Sequence, residues 1–498
     1  MQNWWPRRAK SSEKFLMETA TPSVFGKKVS EKYKTRNCYL FTNERKRLLS
    51  SKVMIYRLYR SFLALSIISC ALSVSLSQLF LLLSFVFFLF LDGKPKLSSQ
   101  IVKILFIFYL WQIVTVLYHF AGEGFDVTSI KHAFRDEMKD IFLVTAFVSV
   151  QGIKKEDRTY LYKSFFIFSI LIVISGFISI FSMTRLSRLI SDLYKTSSSW
   201  PYQHHYGNIG KLNIYLPIGL MNTHLTFGGL LAFIFPGFVF RLYDSWYNKS
   251  SKTKITIDAV LLLLVSIVFL FNNARSSLFG TLVSVLFGIY ILIFIDKDIS
   301  KKVIKRTSFA IFAFLILLFI GYLSTNAVKR VVDPLFGGEK HTDSGRTFIW
   351  DSTFPLIEAN PIFGIGSGNY QKEIEVSRKT KEKENRELAF FYEVTQRGHA
   401  HNDYFHLTAI FGFPQTVFYL FLFGSILYIH LNQNIPKQIR FMTYGLVGFF
   451  FSGLLQCYFQ DDEVLIVFYF LLGYLNLYTE ENLNILQSKE NEESRTDT

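Results

Sequence analysis

Long uncharged apolar segments constrain the fold of this sequence more than any other feature. Residues 311–328, for example, contain no Asp, Glu, Lys or Arg. Half of the 498 residues are hydrophobic and only 18% are charged, which is too apolar for a soluble protein of this length. Helices in a soluble core keep a polar stripe, whereas these segments suit helices that cross a hydrocarbon layer about 30 Å thick. The sequence predicts an all-α polytopic membrane protein.

The apolar segments predict about twelve transmembrane helices. Residues 61–91 are uncharged and are long for one crossing but short for two. Two helices there place the basic N-terminal segment on the same side as the later Lys/Arg-rich loops, and leave the opposite loop 461–463 entirely acidic. Both termini are therefore predicted to be cytoplasmic. The predicted helices lie near residues 54–74, 75–91, 101–120, 138–153, 161–181, 221–240, 255–271, 276–295, 308–324, 405–430, 441–459 and 464–478.

This topology divides the chain into three parts. Residues 1–53 form a basic cytoplasmic tail and residues 480–498 an acidic one, and both compositions predict disorder. Residues 54–479 form the transmembrane domain. Two long loops, about 182–220 and 325–404, fall on the outer side, the second between helices nine and ten. Extended polar segments between apolar helices often carry function, so we expect chemistry there.

The net charge of +16 is compatible with nucleic-acid binding, but Lys and Arg concentrate in the N-terminal tail and the short loops. We interpret this charge as membrane orientation and contact with anionic lipids, and predict no nucleic-acid partner. His204, His205 and His224 have no evident carboxylate partner in the sequence. No metal site is therefore predicted.

Two arginines are candidates for binding an anion. Arg275 lies between two apolar segments on the predicted outer side, where it either extends to the lipid headgroups or compensates a bound anion such as a diphosphate. Burying it without compensation would cost about 3 kcal/mol. Arg346 precedes Phe348 and Trp350 on a predicted amphipathic helix against the membrane, where it is either solvated or a second ligand of the same phosphate.

His401 and Asn402 directly precede predicted helix ten. They either cap the helix or use its anion-favouring start, where a histidine can exchange a proton near neutral pH. His399 competes for the same role. Gly364 and Gly366 either form a turn or let backbone amides approach a phosphate.

These motifs together resemble the O-antigen ligase and O-antigen polymerase superfamily of bacterial polytopic membrane proteins. The resemblance covers about residues 54–478 and depends on the order of the motifs and on their common side. The motifs are Ala274-Arg-Ser-Ser277, the string from Arg346 through Trp350 and Pro361 to Gly364-Ile-Gly366, and His401-Asn402 followed by Gly412.

The resemblance implies a membrane C-type glycosyltransferase fold, active on the outer side of the bacterial cytoplasmic (inner) membrane. It implies an undecaprenyl-diphosphate-linked glycan as donor and the lipid A core or another glycan as acceptor. No metal, nucleotide or other cofactor is implied, because the lipid diphosphate is the activated donor. On that pattern Arg275 and Arg346 hold the diphosphate and His401 assists the acceptor hydroxyl. The implied substrate-binding residues are Asn402, Gly364, Gly366 and His399.

Several functions stay open. A ligase and a polymerase differ only in the acceptor, and Gly412 is followed by Phe-Pro-Gln415 without the second glycine usual in the ligase motif. A flippase for lipid-linked sugars also has about twelve helices, but it needs polar groups near the bilayer midplane, where the predicted helices are nearly uncharged. A membrane scaffold would leave the Arg and His pattern unexplained.

Overall fold

The computed structural model describes residues 52–91, 99–122, 131–134, 137–190, 201–297, 346–384, 398–432 and 435–496, with isolated positions between 316 and 329. Residues Tyr56–Thr498 form one unit. The preceding unit, Met1–Ile55, is described only from Lys52 onward. The predicted basic tail therefore lies almost entirely outside the described residues.

Helices dominate the described residues, as the uncharged segments predict. Short 3₁₀ helices occur at Lys139–Val144, Lys155–Asp157 and Tyr458–Gln460, and a π-helical turn at Ile291–Ile295. The main elements, in chain order, are α1 (Lys52–Cys70), α2 (Val74–Leu89), α3 (Gln100–Gly122), α4 (Thr145–Gln151), α5 (Arg158–Ile180), α6 (Leu186–Ile190), β1 (His205–Ile209), β2 (Leu212–Tyr215), α7 (His224–Tyr247), α8 (Lys252–Asn272), α9 (Arg275–Tyr290), α10 (Arg346–Ala359), α11 (Tyr370–Glu384), α12 (Asp403–Phe411), α13 (Phe413–Asn432), α14 (Lys437–Thr443), α15 (Gly445–Ser452) and α16 (Asp462–Thr496).

Within the described parts of the chain, eight helices are long and apolar enough to cross a membrane. They are α1, α3, α5 with its preceding turn, α7, α8, α9 with its π-helical turn, α13, and Asp462–Thr479 of α16. This confirms the prediction of a polytopic all-α membrane protein, while the count of twelve spans stays a prediction.

The remaining predicted helices differ from single long spans. The segment 75–91 forms the 16-residue helix α2, and 138–153 forms a 3₁₀ helix followed by α4. Segment 308–324 lies largely outside the described residues. Segment 405–430 divides at Gly412 into α12 and α13, because Gly412 has a φ of +79°.

The prediction of one helix over residues 441–459 was wrong. Helix α15 ends at Ser452, and the chain continues as turns and a short 3₁₀ helix to Asp461. The apolar residues Leu454 and Leu455 extend the hydrophobic pattern past this end, which explains the error. We call residues 453–461 the connecting segment.

The expectation of disorder after Tyr478 also fails, because α16 continues as a helix to Thr496. The predicted outer loop 182–220 contains a structure that the sequence did not predict, the antiparallel hairpin of β1 and β2. Its register pairs His205 with Tyr215 and Ile209 with Leu212. The described part of this loop therefore folds into a hairpin at the end of the helices.

Small residues bring α9 and α15 into close contact. A Cβ on Gly280 would lie 2.0 Å from the Ser452 hydroxyl oxygen, and a Cβ on Gly448 would lie 2.2 Å from that of Ser284. Each helix therefore offers a Gly-xxx-Ser pair, which lets two backbones approach in a membrane. This contact fixes the start of α9, where Arg275 lies, relative to the connecting segment.

Both ends of α7 contact a carboxylate. Near its start, the Thr226 hydroxyl donates to Asp461 at 2.6 Å. Near its end, Arg241 pairs with Asp258 of α8 at 2.6 Å. Fifteen helical residues separate these contacts by about 22 Å. The acidic loop 461–463 therefore contacts the end of α7 opposite to Arg241.

Candidate functional site

His401 lies in the turn before α12 with a backbone conformation that is rare for a histidine. Its φ is +50°, in the left-handed region. Its Nδ1 lies 2.6 Å from Oε1 of Gln456 in the connecting segment. With the hydrogen on Nδ1 donated to this oxygen, the lone pair is on Nε2. The contact thus prepares Nε2 to accept a proton.

Asn402 holds this turn against the connecting segment. Its Oδ1 accepts a hydrogen bond from the Phe405 amide at 3.0 Å, as a helix cap, and its Nδ2 donates to the Leu454 carbonyl at 3.0 Å. The Asp403 amide donates to the Gly453 carbonyl at 2.7 Å. Because both polar atoms of the Asn402 side chain are engaged, its geometry favours positioning of His401 over contact with a substrate.

Helix α10 brings Arg346 to the same turn. The Trp350 Nε1 donates to the Ala400 carbonyl at 3.0 Å, and its ring meets Phe405 edge-on with centroids 5.9 Å apart. Helix α10 packs Phe348 into the protein and leaves Phe354 53% exposed, and its position against the membrane stays a prediction. Arg346 is half-buried, and its charge acts on the imidazole of His401.

A second arginine near His401 was not predicted. Arg378 in α11 is 0% exposed, and its guanidinium carbon lies 5.6 Å from the centroid of the Phe348 ring. The surrounding residues 370–384 are strongly charged, a composition typical of a solvated surface. The available signal was the four-residue spacing of Tyr370, Ile374 and Arg378, all of which are fully buried on one face of α11.

Burial lowers the pKa of His401, and the charges of Arg346 and Arg378 lower it further. The hydrogen bond with Gln456 acts in the opposite direction. Burial, followed by the neighbouring imidazoles, lowers the pKa of His399 well below its ordinary value. Both imidazoles are therefore neutral near pH 7. A neutral His401 is the form that can act as a base.

The contact between His399 and His401 stabilises the turn before α12. The His401 amide donates to Nδ1 of His399 at 3.3 Å, and the two rings meet edge-on with centroids 4.5 Å apart. This contact supports the unusual backbone of His401. The geometry therefore favours a positioning role for His399 in this turn.

The residues that follow Arg275 contact the same region. It is half-buried at the start of α9. The next two residues, Ser276 and Ser277, have hydroxyl oxygens 3.1 and 2.5 Å from the Tyr458 hydroxyl oxygen. The charge of Arg346 also acts on Tyr458. The connecting segment thus links the surroundings of all three predicted catalytic residues through Gln456 and Tyr458. Neither of these two residues was predicted from the sequence.

The glycines of the outer loop pack against the break between α12 and α13. The Gly364 amide donates to the Asn360 carbonyl at 3.0 Å, and the Gly366 amide donates to the Ile410 carbonyl at 3.0 Å. A Cβ on Gly412 would lie 1.9 Å from the Ile362 carbonyl oxygen. Because both loop amides already donate to the backbone, this geometry favours close packing over phosphate binding.

The three histidines set aside as metal ligands line one cavity. His204, His205 and His224 share it with Arg185, and its volume is about 450 Å³. The Asn272 side chain, three residues before Arg275, donates through Nδ2 to the His224 carbonyl at 2.9 Å, which places this cavity beside the start of α9. In the described residues, no group of three or more His, Cys, Asp or Glu side chains could hold a metal ion.

These features define a polytopic helical membrane protein with a cationic, polar site at one end of its helices. Residues 259–420 match the family model described as O-antigen ligase, which confirms the resemblance seen in the sequence and assigns this region to that superfamily. Its members are glycosyltransferase-like membrane enzymes, and the match supports a membrane function in polysaccharide biosynthesis. The match includes Arg275, Arg346 and His401. No curated protein is significantly similar to the sequence.

Proposed function

We propose that the protein transfers a glycan from undecaprenyl diphosphate to an acceptor hydroxyl on the outer side of the cytoplasmic membrane. The observation that carries the proposal is a neutral, oriented His401 beside the cations Arg346 and Arg378, in a chain with an O-antigen ligase match. This combination offers a base and an anion site without a carboxylate nucleophile.

The chemistry is one substitution at the anomeric carbon of the donor. The acceptor oxygen forms a bond to this carbon, and the bond from the carbon to the diphosphate oxygen breaks. The electron pair leaves with undecaprenyl diphosphate, and the acceptor proton passes to Nε2 of His401. A positioned base typically contributes about 10² to 10⁴ in rate.

Arg275 and Arg346 stabilise the charge that develops on the diphosphate. At 4 Å and an effective dielectric near 20, one such charge pair is worth about 4 kcal/mol before desolvation is subtracted. Fixed cations at a partly buried site need little reorganisation during the reaction. Arg378, which the structure buries completely, adds to the positive potential at His401.

Transfer by the purified protein tests this function. We expect detergent-solubilised protein, given an undecaprenyl-diphosphate-linked glycan and an acceptor, to form the joined glycan and to release undecaprenyl diphosphate in equal amount. A flippase would move the donor across a bilayer without breaking its phosphate ester. With the protein reconstituted in lipid vesicles, donor translocation without release would therefore favour the flippase over the transferase.

A ligase and a polymerase differ in the acceptor that they use, so identifying the acceptor distinguishes these two functions. Loss of a ligase leaves finished polymer on the lipid carrier, whereas loss of a polymerase leaves the lipid A core with a single repeat. Comparison of lipopolysaccharide bands with and without the gene distinguishes these outcomes. An unchanged band pattern would argue against both acceptors.

A further inference from the structure

The cavity beside β1 and β2 has features that the transfer chemistry does not use. We call it the hairpin cavity; it is lined chiefly by Arg185, Tyr202, His204, His205, Asn222 and His224. Its volume of about 450 Å³ falls in the range of small-molecule sites. The reacting centre needs only the diphosphate, the anomeric carbon and one hydroxyl, so a preformed polar cavity next to it has room for a further part of a substrate.

The walls of the hairpin cavity are held by hydrogen bonds. Gln203 is buried, and its Nε2 donates to the Ser182 carbonyl at 2.9 Å while its Oε1 accepts from the Ser179 hydroxyl at 2.8 Å. The Leu216 amide donates to the His204 carbonyl at 2.8 Å. A site whose walls are already ordered loses less entropy on binding.

The lining is cationic and contains no acidic residue among its described members. Arg185 donates through Nη1 to the Asn222 carbonyl at 3.0 Å, and its buried Nε has no hydrogen-bond partner among the described residues. Burial, and then the charge of Arg188, lower the pKa of Arg185. Two like charges in a partly desolvated place are stabilised by an anion between or beside them.

The lining also suits a sugar ring. Tyr202 is 45% exposed and lines the cavity together with amide and imidazole groups. Sugars present C–H faces that pack on aromatic rings and hydroxyls that bond to such polar groups. A planar guanidinium additionally binds a carboxylate or phosphate through paired hydrogen bonds.

We infer that the hairpin cavity binds a sugar unit that carries a carboxylate or a phosphate, next to the diphosphate site. The inference deepens the proposed function and depends on it for the glycan's identity as a substrate. The unit belongs either to the donor chain or to the acceptor, because the cavity lies beside the proposed diphosphate site: Asn272, three residues before Arg275, donates through Nδ2 to the His224 carbonyl at 2.9 Å.

Direct binding tests the hairpin cavity without any need for transfer. We expect saturation-transfer NMR with detergent-solubilised protein to detect glucuronic acid and glucose 6-phosphate, and to detect glucose much more weakly. Arg185→Gln should weaken binding of both anionic sugars by about tenfold or more, as expected for the loss of a charge-assisted hydrogen bond. His205→Gln tests a second lining residue should Arg185→Gln fail to fold.

Lys211→Gln is the matched control, because Lys211 is exposed at the turn of the same hairpin and does not line the cavity. It should bind the anionic sugars like the wild type. Equal binding of glucuronic acid and glucose by the wild type would overturn the inference, as would unchanged anion binding in both cavity variants.

Kinetics then distinguish the source of the sugar. With a glycan that contains an acidic sugar, Arg185→Gln should raise KM for the donor if the unit belongs to the donor, and for the acceptor if it belongs to the acceptor. Unchanged values of both would contradict the inference while leaving the transferase intact. Absence of transfer by the wild type would instead contradict the proposed function, and the NMR result would still decide whether the cavity binds an anionic sugar.

Discussion

The Nδ1 atom of His401 lies 2.6 Å from Oε1 of Gln456, although 55 residues separate them in the chain. A neutral amide in this position fixes the tautomer of the imidazole without supplying a negative charge. The pKa of His401 is then set mainly by burial and by the nearby arginines. The first three predictions concern this arrangement and its connection to Arg275.

Substituting Gln456 should change the pH dependence of transfer. Gln456→Glu has nearly the same shape but places a carboxylate beside the imidazole, which favours the protonated form and raises the pKa of His401. The acid limb of kcat/KM should move to higher pH. Gln456→Leu should lower kcat by about fivefold, because the loss of one hydrogen bond costs on the order of 1 kcal/mol.

Gln151→Glu is the control for this substitution. Gln151 is also buried, but its Nε2 donates to the Gly473 carbonyl at 3.0 Å, in a different contact. This variant should be less stable without a shift of the acid limb. An acid limb that stays in place in Gln456→Glu would show that His401 is not the titrating base.

The wild-type enzyme should stay active to a lower pH than an unperturbed histidine allows. Protonation of His401 removes the base, and its pKa is below the ordinary 6.5. The value of kcat/KM should therefore be constant near pH 7 and decrease only below about pH 6.5. Arg378→Met removes a positive charge that disfavours the imidazolium, so the acid limb should move to higher pH.

Lys379→Met tests whether any cation on α11 has this effect. Lys379 is 59% exposed and pairs with Glu375 at 3.2 Å. Solvent screens its charge, so the pH profile should match that of the wild type. A shift of the same size in both variants would contradict a specific effect of Arg378.

Tyr458→Phe should disturb the start of α9. It removes the hydroxyl that contacts the buried Ser276 and Ser277, and leaving their hydroxyls without this partner should cost about 1–3 kcal/mol. Because Arg275 is the adjacent residue, KM for the lipid donor should rise. Donor titrations of the purified variant give this value.

Tyr474→Phe is the control, because it also loses a hydrogen bond of a tyrosine hydroxyl. It distinguishes a general loss of stability from an effect on donor binding. Its hydroxyl donates to the Arg158 carbonyl at 2.9 Å, a contact with no residue of the site. We expect a lower melting temperature with an unchanged KM. A similar rise of KM in both variants would argue that Tyr458 contributes only general stability.

Gly412→Ala should destabilise the protein. An alanine at a φ of +79° and a ψ of 174°, a backbone region essentially restricted to glycine, costs about 1–3 kcal/mol, and its Cβ would collide with the Ile362 carbonyl oxygen. The melting temperature of the solubilised variant should fall. Gly424→Ala, where no atom lies within 4 Å of the added Cβ, should keep or raise it; equal behaviour of the two variants would contradict the close packing at Gly412.

Local patterns predicted the helical membrane fold because uncharged segments leave few alternatives. They also suggested Arg275, Arg346 and His401 as candidates, because the charge or position of each beside an apolar segment is conspicuous; their roles stay predictions. Gln456 and Tyr458 were missed because the neighbouring apolar residues resemble a continuing helix. Only long-range packing shows that the chain turns there.

Arg378 was hidden for a different reason. It occurs among solvated charges such as Lys379 and Glu382, and a charged stretch normally indicates a surface. The fold buries one face of α11 against α10, where Phe348 lies beneath the guanidinium. The hairpin of β1 and β2 was likewise unpredicted, since its short strands lie in a loop between much stronger helical signals.

The rate of undecaprenyl diphosphate release by His401→Asn tests the central claim most directly. Asparagine tolerates the left-handed backbone of this position, and its amide cannot take the proton of the acceptor. With donor and acceptor saturating, and with a melting temperature close to that of the wild type, we expect release to be slower by about 10² to 10⁴. Release at the wild-type rate would contradict the assignment of His401 as the base.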